Sequence, residues 1–262
     1  MSIFTKKSPA AQLGGNEDTS FLKVLALCFM LVDHLGVVIF PQIFELRLIG
    51  RIAFPLYAWC LVVGSVKTSN IFRYGVRLLL VGAVSQPLYM MALSHGWKDF
   101  NILFTLWVGL AAIFFIQKRW LLSQFWGPAL CFLLLGYIKV DYGWQGLAFI
   151  LVLYGARTTR SGLIAAFMAF VLFWGGTGSS VSRIFGWQLP FSSWPGIAPV
   201  ASALLRTQSM AWMALPLLVI PTHTKLKMPH WLGYGLYPMH LVLLIVLRLV
   251  GGASFATLTA GF

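Results

Sequence analysis

Asp33 and His34 stand side by side in FLKVLALCFMLVDHLGVVIF, an apolar run long enough to cross a bilayer. Ionisable groups are costly in such surroundings and mark ion paths, proton relays or reactive centres. A histidine held by a carboxylate suits general base catalysis, the carboxylate fixing the imidazole tautomer and raising its basicity. The same pair also suits a proton relay, or plain hydrogen bonding to neighbouring helices. Adjacent helical residues project about 100° apart, so both can border one internal cavity without sharing a face. A second cluster follows in ELRLIGRIAFPLYAW, where Arg47, Arg51 and Pro55 recur at four-residue spacing and therefore share a face. Arg47 reads as an interfacial residue whose charge snorkels to the membrane surface. Arg51 lies inside the apolar run and requires an anion or carboxylate partner, for which Asp33 is the nearest candidate within an apolar run. Gly50 beside it permits close approach of a backbone or ligand.

Other polar residues punctuate the apolar segments: Gln86 before Pro87, Asn101 and Thr105, Asp141 with Tyr142, Arg206, and His240 in Tyr237-Pro238-Met239-His240. Each has a structural reading beside a chemical one. Gln86 can satisfy backbone groups freed by Pro87, Asn101 can cap a helix, and His240 can make an interhelical hydrogen bond. Asp141 rivals Asp33 as the group that orients His34. Cys28, Cys60 and Cys131 have apolar neighbours and no metal or disulfide spacing, so they read as core residues and no metal is expected. His34 and His240 are the only histidines in apolar segments, and nothing marks a haem pocket.

The elements that must position these groups are set by composition. With 59% hydrophobic, 15% aromatic and 10% charged residues, the solvent of this chain is largely lipid. The expected fold is all-α: a polytopic transmembrane bundle of about nine spans near 21–40, 46–66, 72–93, 101–117, 119–138, 143–156, 160–176, 194–221 and 231–250. Residues 1–19 read as a mobile tail without the features of a cleaved signal peptide, and 20–262 as one domain. The long connection from Gly175 to Trp194 mixes glycine, serine and aromatics, which suits an interfacial loop; it lacks the Lys-Ser or Lys-Thr of a phosphate-binding loop. The net charge of +13 is distributed over alternate loops rather than one polar face, which argues against nucleic acid. Twelve of the nineteen basic residues, at 6, 7, 23, 67, 73, 77, 118, 119, 157, 160, 225 and 227, fall on one side. That side is cytoplasmic by the positive-inside rule, so the N-terminus is inside and, after nine spans, the C-terminus outside. Lys23 marks the inner end of the first span, which places His34 about 16 Å deeper, in the outer half. Oligomeric state is not legible, because lipid-facing and partner-facing apolar surfaces look alike.

The ordered motifs LKVLALCFMLVDHLG, LRLIGRIAFPLYAWCLVVG, RLLLVGAVSQP, NILFTLWVGL, VDYGWQGL and LGYGLYPMHLVLL resemble the TraX family from residue 22 to about 250. These are inner-membrane acetyltransferases associated with conjugative plasmids that acetylate the N-terminus of F-type pilin. The specific parts are Asp33-His34, the Gly-Arg-Ile-Ala-Phe-Pro of the second span and the terminal Tyr-Pro-x-His. More distantly the chain is similar to the acyltransferase family 3 membrane proteins, which also carry a histidine in the first span.

The resemblance implies transfer of an acetyl group from acetyl-CoA to the amine of a pilin subunit. His34 would be the general base, oriented by Asp33 or Asp141; a ping-pong route through acetyl-His34 stays open. Arg51, Gln86, Asn101, Asp141, Tyr142 and His240 would contact substrate or the developing oxyanion. Coenzyme A is made in the cytoplasm, so its arm must rise through the bundle. Arg73, Arg77, Lys118, Arg119, Arg157 and Arg160, with Arg47 further out, are the cationic candidates for holding the cofactor, although membrane topology alone also accounts for the inner six. Alternatives are an O-acetyltransferase of an envelope glycan, a proton-coupled transporter, and a structural subunit of pilus assembly. No inverted repeat favours the transporter.

Overall fold

A computed structural model of the chain describes residues 13–189 and 196–259. It is mostly helical, with strand limited to two two-residue pairings. Helices α1 (Thr19–Val38), α2 (Phe44–Gly50), α3 (Ala53–Lys67) and α4 (Ile71–Leu93) are followed by strand β1 (Asp99–Phe100) and α5 (Ile102–Lys118). Next come a 3-10 turn (Trp120–Leu122), α6 (Ser123–Tyr137), β2 (Lys139–Val140), α7 (Gly143–Ala156) and α8 (Arg160–Gly175). The hairpin β3 (Arg183–Ile184) and β4 (Trp187–Gln188) leads to α9 (Ala198–Leu204), a 3-10 helix (Ser209–Ala214), α10 (Leu215–Val219), α11 (His230–Val250) and α12 (Phe255–Thr259).

Five helical stretches are long and apolar enough to cross a membrane: Thr19–Val38, Phe44–Lys67, Ile71–Leu93, Trp120–Tyr137 and Leu232–Val250. Four shorter apolar ones, Ile102–Lys118, Gly143–Ala156, Arg160–Gly175 and Ser209–Val219, complete the bundle. Polar residues mark several starts by accepting orphan backbone N–H groups: Asp18 from Phe21, Asn70 from Arg73, Asn101 from Leu103 and Thr159 from Gly162.

The centre is α3. Leu56, Ala58, Trp59 and Val62 are fully buried there, against α1, α5 and α7. Large apolar side chains elsewhere point outward, including Phe72, Leu80 and Val84 on α4, Phe125, Leu130 and Leu133 on α6, and Val242 and Val246 on α11. An outer surface this apolar fits lipid rather than water.

Two expectations change. The second span is broken at Arg51 and Ile52 into α2 and α3. Pro55 is the cause: it has no N–H to offer the Arg51 carbonyl, and its ring crowds that carbonyl. The span expected at 194–221 is not one helix. Pro199 and Pro216 open α9 and α10, and between them Ser180 bridges Arg206 while Val181 N–H bonds the Leu205 carbonyl at 2.6 Å. Arg206 therefore lies in the non-helical link between α9 and the 3-10 helix, not at the centre of a long helix.

The tail also shrinks. Residues 1–12 lie outside the described residues, but 13–18 are packed rather than mobile. Asn16 is fully buried, its side chain donating to the Leu217 carbonyl and Thr222 while its carbonyl accepts from the Trp59 indole at 2.7 Å.

Candidate active site

At the end of the bundle opposite the start of α1, a cavity of about 350 Å³ opens between α1, α2, α4, α11 and the turn before α7. Asp33, His34, Arg47, Arg51, Asp141 and Tyr142 all line it, so six of the expected site residues converge. Tyr89, His95 and Tyr237 join them.

Helix α1 delivers His34, which is buried, onto His240 of α11. The rings stack with centroids 5.3 Å apart, and His34 Nδ1 lies 3.3 Å from His240 Nε2. His240 Nδ1 is buried with no hydrogen-bond partner. Either ring can donate across this contact, according to its tautomer. When His34 donates from Nδ1, its basic nitrogen is Nε2. The orienting partner of His34 is a second histidine, not Asp33.

Asp33 instead accepts from Arg47 Nε at 3.1 Å. The roughly 100° between adjacent helical positions turns Asp33 toward α2 while His34 faces α11. Gly50 makes the approach possible, since a Cβ there would collide with the Asp33 side chain. Arg47, read as a snorkelling or cofactor-binding residue, is thus the ion-pair partner of Asp33, and Arg51 is not. Arg51 Nε is buried with no hydrogen-bond partner.

Asp141 is held by its backbone: its N–H donates to the Phe100 carbonyl at 2.9 Å, and its carbonyl accepts from the Thr105 hydroxyl. Burial pushes its carboxyl up to about 6, the charge of Asp33 adding to the rise and Arg51 opposing it. Tyr142 adopts the left-handed conformation at φ 63°, a strained state for an aromatic residue, and stacks on Phe54 with centroids 4.2 Å apart. The rim is tied by β1 and β2, where Lys139 pairs with Asp99 at 2.7 Å and holds that carboxyl below the usual range.

Gln86 and Asn101 do not line this cavity. The Gln86 carbonyl oxygen accepts from both the Asn101 amide and backbone N–H, its own amide donates to the Asp99 carbonyl, and Asn101 caps α5. Together they lock α4 to α5 and have little left to offer a substrate. The basic residues expected to hold the cofactor are dispersed. Arg77 lies over the Tyr234 ring, Arg157 over the Tyr154 ring at 3.8 Å, Arg119 lines a groove with Arg157, and Arg160 borders the pocket of residues 13–18. Lys118 lies over the Phe114 ring, and Arg73 is exposed at the start of α4. They do not form one phosphate site.

Tyr89 and His95 were the least legible members, whereas Tyr237 stood in the Tyr-Pro-x-His motif. His95 follows α4 in a polar loop, where its ring stacks on Tyr89, 4.8 Å between centroids, and its Nδ1 lies 3.7 Å from Asp99. Among the described residues no group of three or more His, Cys, Asp or Glu could hold a metal ion.

An apolar helical bundle with five helices long enough to cross a membrane, and a buried histidine pair beside an end cavity of opposed charges, defines a polytopic membrane-type protein. The TraX protein family model matches residues 18–248, and the chain belongs to that family. An uncharacterized protein of Rickettsia prowazekii is 27% identical over 54% of the chain and 57% of its own length. The probable fimbrial assembly protein FimC, serogroup H1, of Dichelobacter nodosus is 31% identical over 37% of the chain and 46% of its own length. The chain thus spans about half the length of the curated relatives it matches. No solved structure matches.

Proposed function

We propose that this protein is a membrane-embedded acetyltransferase of the inner membrane that moves an acetyl group from acetyl-CoA to the N-terminal amine of a pilin at the outer side. Membership of the TraX family and similarity to a probable fimbrial assembly protein support the pilus connection. The observation that carries the chemistry is the His34–His240 pair at the wall of a charged cavity.

The residues present suit the donor's reactive end. Arg51 Nε and the Tyr237 hydroxyl are buried donors without partners, which a thioester carbonyl would satisfy. When bound, the donor supplies an activated acetyl group. His34 Nε2 takes a proton from the attacking amine, and His240 keeps the imidazole in the tautomer that can do so. Asp33 and Asp141 favour arrival of the amine as its cation, which releases one proton to water before the neutral amine attacks. Arg51 Nε–H stabilises the negative charge that develops on the carbonyl oxygen. His34 then returns its proton to the departing thiolate.

Incubation of purified protein with labelled acetyl-CoA and pilin, analysed for label on the pilin amine, tests this reading. His34→Ala is expected to reduce transfer about 10²–10⁴-fold, the usual contribution of a positioned base. Undiminished transfer by the mutant removes His34 from the mechanism. Label on glycan rather than peptide selects the envelope O-acetyltransferase, and absence of transfer by well-folded protein favours transport or assembly.

A further inference from the structure

A second cavity of about 170 Å³ lies toward the inner end of the bundle. Its mouth is built by Thr19, Ser20 and Lys23 of α1 with Met228, Pro229 and Gly233 at the start of α11. Its walls are apolar and aromatic, among them Leu78, Leu106, Tyr74 and Tyr234. No carboxylate lines it. Tyr237 is the residue common to this cavity and to the charged one. Its hydroxyl is buried and makes no hydrogen bond. The two cavities therefore lie in series along α1 and α11, on either side of one tyrosine.

Cation supply is concentrated at the inner mouth. Lys23 lines it, Arg77 lies 5.9 Å from the centroid of the lining Tyr234 ring, and Lys225 and Lys227 are exposed just before Met228. Charge at the mouth with an uncharged, narrow interior matches a ligand whose phosphates stay outside and whose slender neutral arm goes in. Lys23 and His34 are separated by about 16 Å along α1, the distance such an arm would have to cover.

From this we infer that the cavity between the first turns of α1 and α11 is the seat of the pantetheine arm of a coenzyme A thioester, and that Tyr237 donates its hydroxyl to the thioester carbonyl where the two cavities meet. This rests on the acetyltransfer reading and assigns the donor route to Lys23, Gly233, Tyr234 and Tyr237, in place of the dispersed arginines of the other inner loops. In the step itself the amine nitrogen bonds to the acetyl carbon and the carbon–sulfur bond breaks. The amine proton passes through His34 Nε2 to the thiolate, giving an amide and free coenzyme A. The Tyr237 hydroxyl stabilises the tetrahedral oxyanion and keeps its own proton.

The test is a binding measurement on the full chain in detergent, using Ser20→Cys and Gly233→Trp, with acetylation followed separately. Coenzyme A is expected to slow maleimide labelling of Ser20→Cys at least 10-fold, as read by mass spectrometry of the peptide carrying residue 20. Attachment of a bulky maleimide to the folded Ser20→Cys protein should weaken coenzyme A binding at least 10-fold, as should Gly233→Trp. Tyr237→Phe should bind coenzyme A within about 3-fold of wild type yet transfer acetyl about 10²-fold more slowly, as for loss of one oxyanion donor. If wild type binds coenzyme A while labelled Ser20→Cys binds it equally well, the route is wrong and the acetyltransfer reading stands. If wild type binds no coenzyme A at all, the acetyltransfer reading falls and takes the route with it. Equal transfer by Tyr237→Phe and wild type removes the tyrosine from the reaction.

Discussion

His34 takes its orientation from His240 across two helices, which has a consequence for substitution. A glutamine at 240 offers an acceptor oxygen to His34 Nδ1–H, whereas alanine offers none. Transfer should fall modestly in His240→Gln and about 10²-fold or more in His240→Ala, measured as acetylated pilin per unit time at matched folded protein. Arg47→Ala leaves Asp33 without its 3.1 Å partner and should lower stability by about 1.5–3 kcal/mol in thermal or denaturant unfolding, the range for a hydrogen bond to a charged group. Asp141 adds a pH dependence whose sign follows from its raised carboxyl. The folded state keeps that proton to about pH 6 whereas the unfolded chain releases it near the ordinary value of 3.8, so its stabilising contribution is present at low pH and is lost as pH rises through 6. Asp141→Asn should flatten the unfolding temperature between pH 4 and 7, where wild type declines. Asp33, His34, Arg51 and Asp141 were legible because charge inside apolar runs demands an explanation. Their pairing was not, since partner choice depends on helix rotation and on the space Gly50 leaves, neither of which hydropathy reports.

At the scale of elements, the α2–α3 break separates two jobs. Helix α2 carries Arg47 and Gly50 to Asp33, while α3 runs down the centre as the most buried element of the bundle. Pro55 sets the break, and Gly50 sets how closely α1 can approach. Gly50→Ala should therefore displace Asp33, cost about 1–3 kcal/mol as overpacking does, and weaken the Asp33–Arg47 pair, visible as a lower unfolding temperature. The helices with uninterrupted apolar runs were readable nearly to the residue, α7 at 143–156 among them. The stretch at 194–221 was not, because averaged hydropathy passes over what Pro199, the polar Thr207-Gln208-Ser209 and Pro216 do to the hydrogen-bond ladder. Gln86 and Asn101 show the reverse. Their polarity was visible, yet it serves to clamp α4 to α5.

For the whole molecule, the inner cavity and the charged cavity give the bundle a direction. We propose that the basic loops lie in the cytoplasm, with nine spans placing the C-terminus outside. A C-terminal reporter that works only in the cytoplasm should then be silent, and a strong signal would overturn the span count. Orientation rests on loop charge and parity; apolarity itself was evident from composition and reappears as the exposed valines, leucines and phenylalanines of α4, α6 and α11.

His34 and His240 are 206 residues apart in the chain, and Asn16 reaches as far to meet Thr222. During synthesis the first helix is in place long before its partner emerges. A ribosome-bound or C-terminally truncated chain ending before Pro229 lacks both the second imidazole and the wall that carries Tyr237, however well its earlier helices are inserted. The histidine pair is therefore complete only once α11 is in place, and under the proposed acetyltransfer a chain halted before it would be inactive.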